Sequence, residues 1–512
     1  MTEPIPPSLV APRTPVVGEL THGGPSPEIE WRVHDRTHLE IAVDYPVTSA
    51  THTWEAYFFV PASFRLQEDT YDKKAIYDDL WSYVRFATRT TSLSALAAPA
   101  GPVARVVVAL AAANGKPDGA PEAIDATRRL RLFACLLRSA CLAAAADVRT
   151  RLEHGDPAAG VMASALARDL GAAAAALREA VRGAGELSAD VRVAARWVDE
   201  DVSLVVESIA AGSALAIRRH PDGDAMRDAV ERLAELAGAE SRHREAEGCD
   251  SVAHGDATAR DVEHLEFRRH VMKRFTTSVL WLSLEVSDAA GWVVHALYAL
   301  AAAVAMAFAL VASVSTSPTS ESMYRYGVLV VVAYAVKDRM KAFLQRVFDG
   351  MIARRFADRK WKIIDRERAR TVGLVRERAA FLPMAGLPSD VLTARRLTRT
   401  HPLEEAARPE RVLWHKKSLE VGPLAAGDES DLPTLTEIFR LNVRRWLEHA
   451  DDPSHEIFFA DSRDGALHAA KARRVYNVNV VYRLQRGEEG GPWRRLRVVV
   501  SRKGIERVDE IC

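Results

Sequence analysis

Lys337, Asp338, Arg339 and Lys341 set one carboxylate among three cations directly after an apolar run. This spacing suits ion pairing rather than catalysis. Asp338 can pair with Arg339, with a neighbour three or four residues away on its own helix, or with a basic residue from the helix before the run. His295 lies near the start of a longer apolar stretch, where an ionisable group is costly unless it reaches the headgroup level. His34, Asp35 and His38 cluster before a strand, and His243, Cys249, His254 and His264 share a polar stretch. All are metal-liganding types, but neither spacing is that of a zinc site, so no metal is expected. Asn477 and Asn479 share one face of a strand and are expected at a sheet edge. No phosphate loop, dinucleotide fingerprint, nucleophile elbow or zincin helix occurs, so no cofactor and no catalytic residue is assigned.

These residues depend for their position on residues 289–347. From Ala289 to Ser320 there is no charged side chain. Gly291 to Val314, as a helix, spans about 36 Å. A second apolar run, Tyr326 to Val336, is shorter than the ~30 Å hydrocarbon core and is extended by snorkelling of Arg325 and Lys337 and by Ala342, Phe343 and Leu344 at the interface. The pattern predicts a two-helix transmembrane hairpin, with a re-entrant second segment and a hairpin buried inside a soluble domain as the competing readings. Arg268, Arg269, Lys273 and Arg274 stand upstream, and 337–370 holds 12 Lys/Arg against 5 Asp/Glu. Positive charge stays on the cytoplasmic side, so both termini are expected there, in the inner membrane of a bacterium. The basic flank also suits anionic headgroups.

The chain of 512 residues carries 69 Lys/Arg and 69 Asp/Glu, which gives nucleic-acid binding no electrostatic support. Four cysteines without paired spacing read as free thiols. Residues 1–30, rich in Pro, Gly and Ser, are expected to be disordered, and no signal peptide is evident there. Residues 31–95 read as a β-hairpin and a helix, and 121–285 as an alanine-rich cytoplasmic helical bundle. Within that bundle Val191, Ala195, Val198, Val202, Val205, Ile209, Gly212 and Ala216 form a coiled-coil-like seam, suited to an intrachain bundle or to self-association. Residues 348–370 read as a basic juxtamembrane helix and 371–512 as a cytoplasmic α+β domain. In that last segment Thr434-Leu-Thr-Glu437 reads as a capping box opening a helix. Alternation at Tyr476 to Leu484 and Leu496 to Val500 predicts a hairpin. The expected fold is therefore α+β with a membrane α-hairpin, and the two β-rich ends are expected to pack together.

Five blocks carry a resemblance: Tyr57-Phe-Phe-Val-Pro61, Tyr77 to Arg85, Tyr334 to Lys341, Arg474 to Asn479 and Gly504-Ile-Glu-Arg507. Their order resembles a family of uncharacterised bacterial membrane proteins with a central two-span hairpin. The resemblance implies location and topology and no activity. The expected function is a membrane-anchored cytoplasmic scaffold, sensor or regulatory protein, working with an unknown protein partner or as a homo-oligomer. The rivals are an inner-leaflet enzyme and a homo-oligomeric channel.

Overall fold

The structure, a computed structural model, describes residues 28–47, 50–286, 291–314, 323–355, 357–396, 410–422, 432, 434–487 and 489–511. The expectation of disorder for 1–30 lies, up to residue 27, outside them. The chain opens with β1 (Glu28–Val33), β2 (His38–Pro46), β3 (Ala50–Pro61), α1 (Lys73–Asp78) and β4 (Leu80–Ala87). A helical insertion follows: α2 (Leu93–Leu96), α3 (Pro102–Ala112), α4 (Pro121–Glu153), α5 (Ala159–Arg182), α6 (Ala189–Arg218), α7 (Arg227–Ala246) and α8 (Ala259–Thr277). Then come β5 (Trp281–Val286), the helix pair α9 (Gly291–Val314) and α10 (Met323–Arg355), β6 (Arg359–Asp365), β7 (Arg370–Leu382), α11 (Ser389–Arg396), β8 (Glu410–Val421) and β9 (Thr434–Asn442). The chain closes with β10 (Ser454–Ala460), β11 (Leu467–Arg473), β12 (Tyr476–Arg486), β13 (Glu489–Gly490), β14 (Arg494–Ser501) and β15 (Gly504–Ile511).

One antiparallel sheet gathers most of these strands in the order β1-β2-β9-β4-β5-β6-β7-β8-β3-β12-β14-β15, with β13 beside β12. It curls until its edges meet. Ile505 N donates to Arg36 O (2.7 Å) at the β1–β2 turn, nearly closing a barrel. Gly504, at φ +132, sits against that same carbonyl, which leaves no room for a Cβ. Strand alternation fills the interior: Leu39, Ile41, Val43 and Tyr45 from β2, Trp54 and Phe58 from β3, and Leu435, Phe439 and Leu441 from β9 are all buried. The outer face of β3 is covered too, because Tyr57 and Phe59 pack beneath Leu387 and Val391 at α11. That double burial explains the unbroken run Tyr57-Phe-Phe-Val60.

The register fixes what stands at each end of the barrel. β4 and β5 pair at Val84↔Leu282 and Arg85↔Trp281, so the exit of β4 and the entry of β5 lie together. The helical bundle is inserted there and is tied to the barrel by Arg128 and Arg131, which pair with Glu367 in the β6–β7 turn (3.1 and 2.7 Å). At the opposite end β5 runs out into α9 and α10 returns into β6, with Val286↔Trp361 paired. β9 ends there as well, since Leu80↔Leu441 places its exit beside the start of β4. From that exit the chain passes into a separate two-stranded ribbon, β10–β11, and back into β12.

This architecture corrects the sequence-derived fold. There is no separate C-terminal α+β domain: β2 pairs with β9, and β3 lies between β8 and β12, so both ends of the chain build one sheet. The two β-rich ends thus do pack together, by strand pairing. Nor does a two-span membrane hairpin divide the molecule. Among the described residues the one helix long and apolar enough to cross a membrane is α5, and its Ala163, Leu166, Leu170 and Leu177 are core of the bundle. The described apolar stretch of α9, His295–Val311, is shorter than a span, and α10 meets Lys337 partway along.

Boundaries shift for identifiable reasons. The basic helix ends by Arg355, and Arg359–Asp365 is strand β6, paired on both sides. The bundle ends at Thr277, and Trp281–Val286 is strand. The helix of the 31–95 segment is only α1, Lys73–Asp78, and the chain is strand again from Leu80. Residues 105–112, whose apolar pattern suits strand or helix alike, lie in helix α3. Thr434–Asn442 is a strand, because its alternating Leu435, Phe439 and Leu441 face the barrel core. The coiled-coil seam on α6 is buried within the chain from Val191 to Val205 against α4 and α7, while Gly212 and Ala216 are exposed. It offers no support for self-association. The 476–484 and 496–500 hairpin stands in register, Val478↔Val498 and Val480↔Leu496.

Candidate functional site

The most concentrated chemistry lies inside the barrel, at positions that sequence reasoning did not single out. In β8 alternation turns Leu413, His415, Lys417 and Leu419 inward. β7 supplies Glu377, directly opposite Lys417 in the ladder. β9, on the facing wall, supplies Glu437. Lys417 Nζ bonds Glu377 Oε1 (2.6 Å), Glu437 Oε1 and Ser82 Oγ (2.7 Å), so its three N–H donors each find an acceptor. Ser82 Oγ lies 3.2 Å from Glu437 Oε1, and Tyr45 OH donates to Glu437 Oε2 at 3.3 Å.

Electrostatics divide the two carboxyls. Burial and the nearby Glu377 push Glu437 above the usual carboxyl range, beyond what Lys417 offsets. Burial also works against Glu377, but the adjacent Lys417 ammonium, with Arg359 further off, outweighs it and lowers its pKa. Burial disfavours the Lys417 ammonium, and the two glutamates overcome that and raise its pKa. Beside them His415 packs its ring 5.1 Å from Trp54, with neither ring nitrogen hydrogen-bonded. Burial pushes it down to about 4. A saturated ammonium has no lone pair to attack with, and Lys417 is only 2% exposed. The cluster ties β2, β4, β7, β8 and β9 together across the core.

The sequence-selected residues lie elsewhere. His295 is exposed on α9. Asp338, also exposed, lies 3.8 Å from Lys337 Nζ, and that ammonium sits 3.5 Å from the centre of the Tyr334 ring. Arg339 and Lys341 are exposed on the same helix. Asp338 thus pairs with its neighbour, and among the described contacts it meets no residue of the helix preceding α9.

Asp35 folds back on its own turn. Slight burial opposes its charge, yet donors from Thr37 and His38 hold its carboxyl at about 2. His243 Nε2 lies 2.7 Å from Asp199 Oδ2, within a bundle network in which Arg178 grips Asp199 (2.8 Å) and Glu240 (2.6 Å). Among the described residues no group of His, Cys, Asp and Glu is placed to hold a metal. Asn479 is buried and accepts from Arg495 Nη2 (2.8 Å). β12 is flanked by β3 and β14, so Asn477 and Asn479 do not cap an edge.

A second feature is apolar. Leu300, Met306, Phe308, Leu310 and Val311 on α9, and Val331, Val332, Val336, Phe343 and Val347 on α10, are exposed, with Val331 at 68%. Such a surface is far larger than scattered surface hydrophobics. α9 and α10 pack on each other and are rooted in the adjacent strands β5 and β6. No family model, curated protein or solved structure matches this chain.

Proposed function

We propose that the chain is a bilayer-attached scaffold or regulatory protein. The α9–α10 pair holds it to the membrane, while the barrel and bundle present its working surface. The supporting observation is the exposed apolar surface of this pair on a segment free of charge from 289 to 320. In water that exposure costs about 25 cal/mol per Å², and acyl chains remove the cost. Because α9 leaves from β5 and α10 returns to its neighbour β6, the barrel and bundle stay on one face of the bilayer. The cations Lys337, Arg339 and Lys341 support reading that face as the cytoplasmic one of an inner membrane, beside anionic headgroups. Inside the barrel, the enclosure and saturation of Lys417 favour a scaffold over an enzyme.

The test is to extract the intact protein from membranes in mild detergent, measure the mass of the complex and identify what accompanies it. A stoichiometric foreign protein is the expected result. A homo-oligomer with no companion contradicts the scaffold and favours a pore or an enzyme.

A further inference from the structure

The β10–β11 ribbon is the one described part of the sheet structure with both edges and both faces open. Its strands pair only with each other, from Ser454↔Arg473 to Ala460↔Leu467. An isolated two-stranded ribbon is marginal in water unless something covers it. Pairing sorts its side chains by face. Phe458 and Ala469 share one face with Ala460 and Leu467 next to them toward the tip, and on that face Glu456 and Lys471 lie toward the base. Phe458 is 77% and Leu467 88% exposed, the highest values among the large apolar side chains described. On the other face Phe459 stacks on His468 (5.5 Å).

Position decides what covers this face. The ribbon springs from the exit of β9 and re-enters at β12, the end of the barrel from which α9 leaves and α10 returns. The bundle occupies the opposite end. On the reading that α9–α10 attach the chain to a bilayer, an aromatic and aliphatic patch at that end of the barrel faces the interfacial layer, where Phe and Leu bury themselves and flanking cations meet phosphate. Lys471 and Arg473 lie on the same face, toward the ribbon base.

We propose that the β10–β11 ribbon is a second lipid contact, laying Phe458, Ala460, Leu467 and Ala469 into the bilayer interface beside α9–α10. This rests on the membrane attachment proposed above. The full chain carrying Cys249→Ser and Cys512→Ser, so that only buried Cys135 and Cys141 remain, takes a thiol-reactive fluorophore at Phe458→Cys, at Val331→Cys on α10 or at Val161→Cys on the bundle. Each form is reconstituted in phosphatidylethanolamine–phosphatidylglycerol vesicles with and without brominated acyl chains. Loss of fluorescence in brominated vesicles is expected at 458 and 331 and not at 161. Quenching at 331 without quenching at 458 overturns the ribbon contact and leaves the attachment standing. Absence of quenching at both overturns the two together. A 458 probe shielded from aqueous iodide yet unquenched by bromolipid reports a protein partner, such as a second copy, and also overturns the lipid contact.

Discussion

Lys417 illustrates how much one buried charge demands of its surroundings. Its ammonium is stable inside the barrel because Glu377, Glu437 and Ser82 take all three of its protons' hydrogen bonds. Removing it strands two carboxyls in the core, so Lys417→Met is expected to cost about 3–5 kcal/mol. The triple change Lys417→Met, Glu377→Gln, Glu437→Gln is expected to recover most of that, with thermal unfolding as the readout. His415 gives a pH dependence of definite sign. Its native pKa of about 4 lies below the ordinary 6.5, so the unfolded chain takes up a proton that the native state refuses. The stability tied to it is full above about pH 6.5 and declines toward pH 4, by about 3 kcal/mol. His415→Leu is expected to flatten that part of the stability–pH curve, and an unchanged slope would refute the assignment. These residues were not legible in the sequence. Glu437 sits in a Thr-Leu-Thr-Glu string with the form of a helix cap, and its hydrogen bond to Tyr45 spans 392 residues of chain. His415 and Lys417 break the apolar alternation of β8 that would mark them as inward-facing.

At the scale of elements, local pattern succeeded where a segment's partner lies nearby and failed where it does not. The hairpin of β12 and β14 and the buried stripe of α6 follow from periodicity alone. β6 and β9 do not, because a strand is selected by neighbours brought from elsewhere: β9 sits between β2 and β4, and Ser82 on β4 lies 355 residues before its partner Glu437 on β9. The helix pair was legible as an apolar segment, whereas its roots in adjacent strands of a closed sheet were not. Barrel closure rests on Gly504, whose positive φ and close carbonyl neighbour exclude a side chain. Gly504→Ala is expected to cost about 1–3 kcal/mol and to speed amide exchange in β1 and β15 while leaving the bundle helices protected. At the other end, Glu367→Ala removes the acceptor shared by Arg128 and Arg131. Faster exchange in the β6–β7 turn and at the start of α4 is expected, with little change in β12 or β14.

For the whole molecule, a helical bundle is inserted at one end of a nearly closed barrel, and the apolar helix pair and the ribbon both leave from the other. The barrel does not need the helix pair for its own closure, since β5 and β6 already pair through Val286↔Trp361 and a short turn can join them. The proposed membrane attachment can therefore be separated from folding. The most direct measurement compares the full chain with a form in which 289–356 is replaced by a short glycine–serine turn, each expressed and fractionated under an alkaline carbonate wash. The full chain is expected to stay with the membranes, and the shortened form to leave them while keeping the circular dichroism of a folded barrel and bundle. Release of the full chain without detergent would contradict attachment through α9–α10.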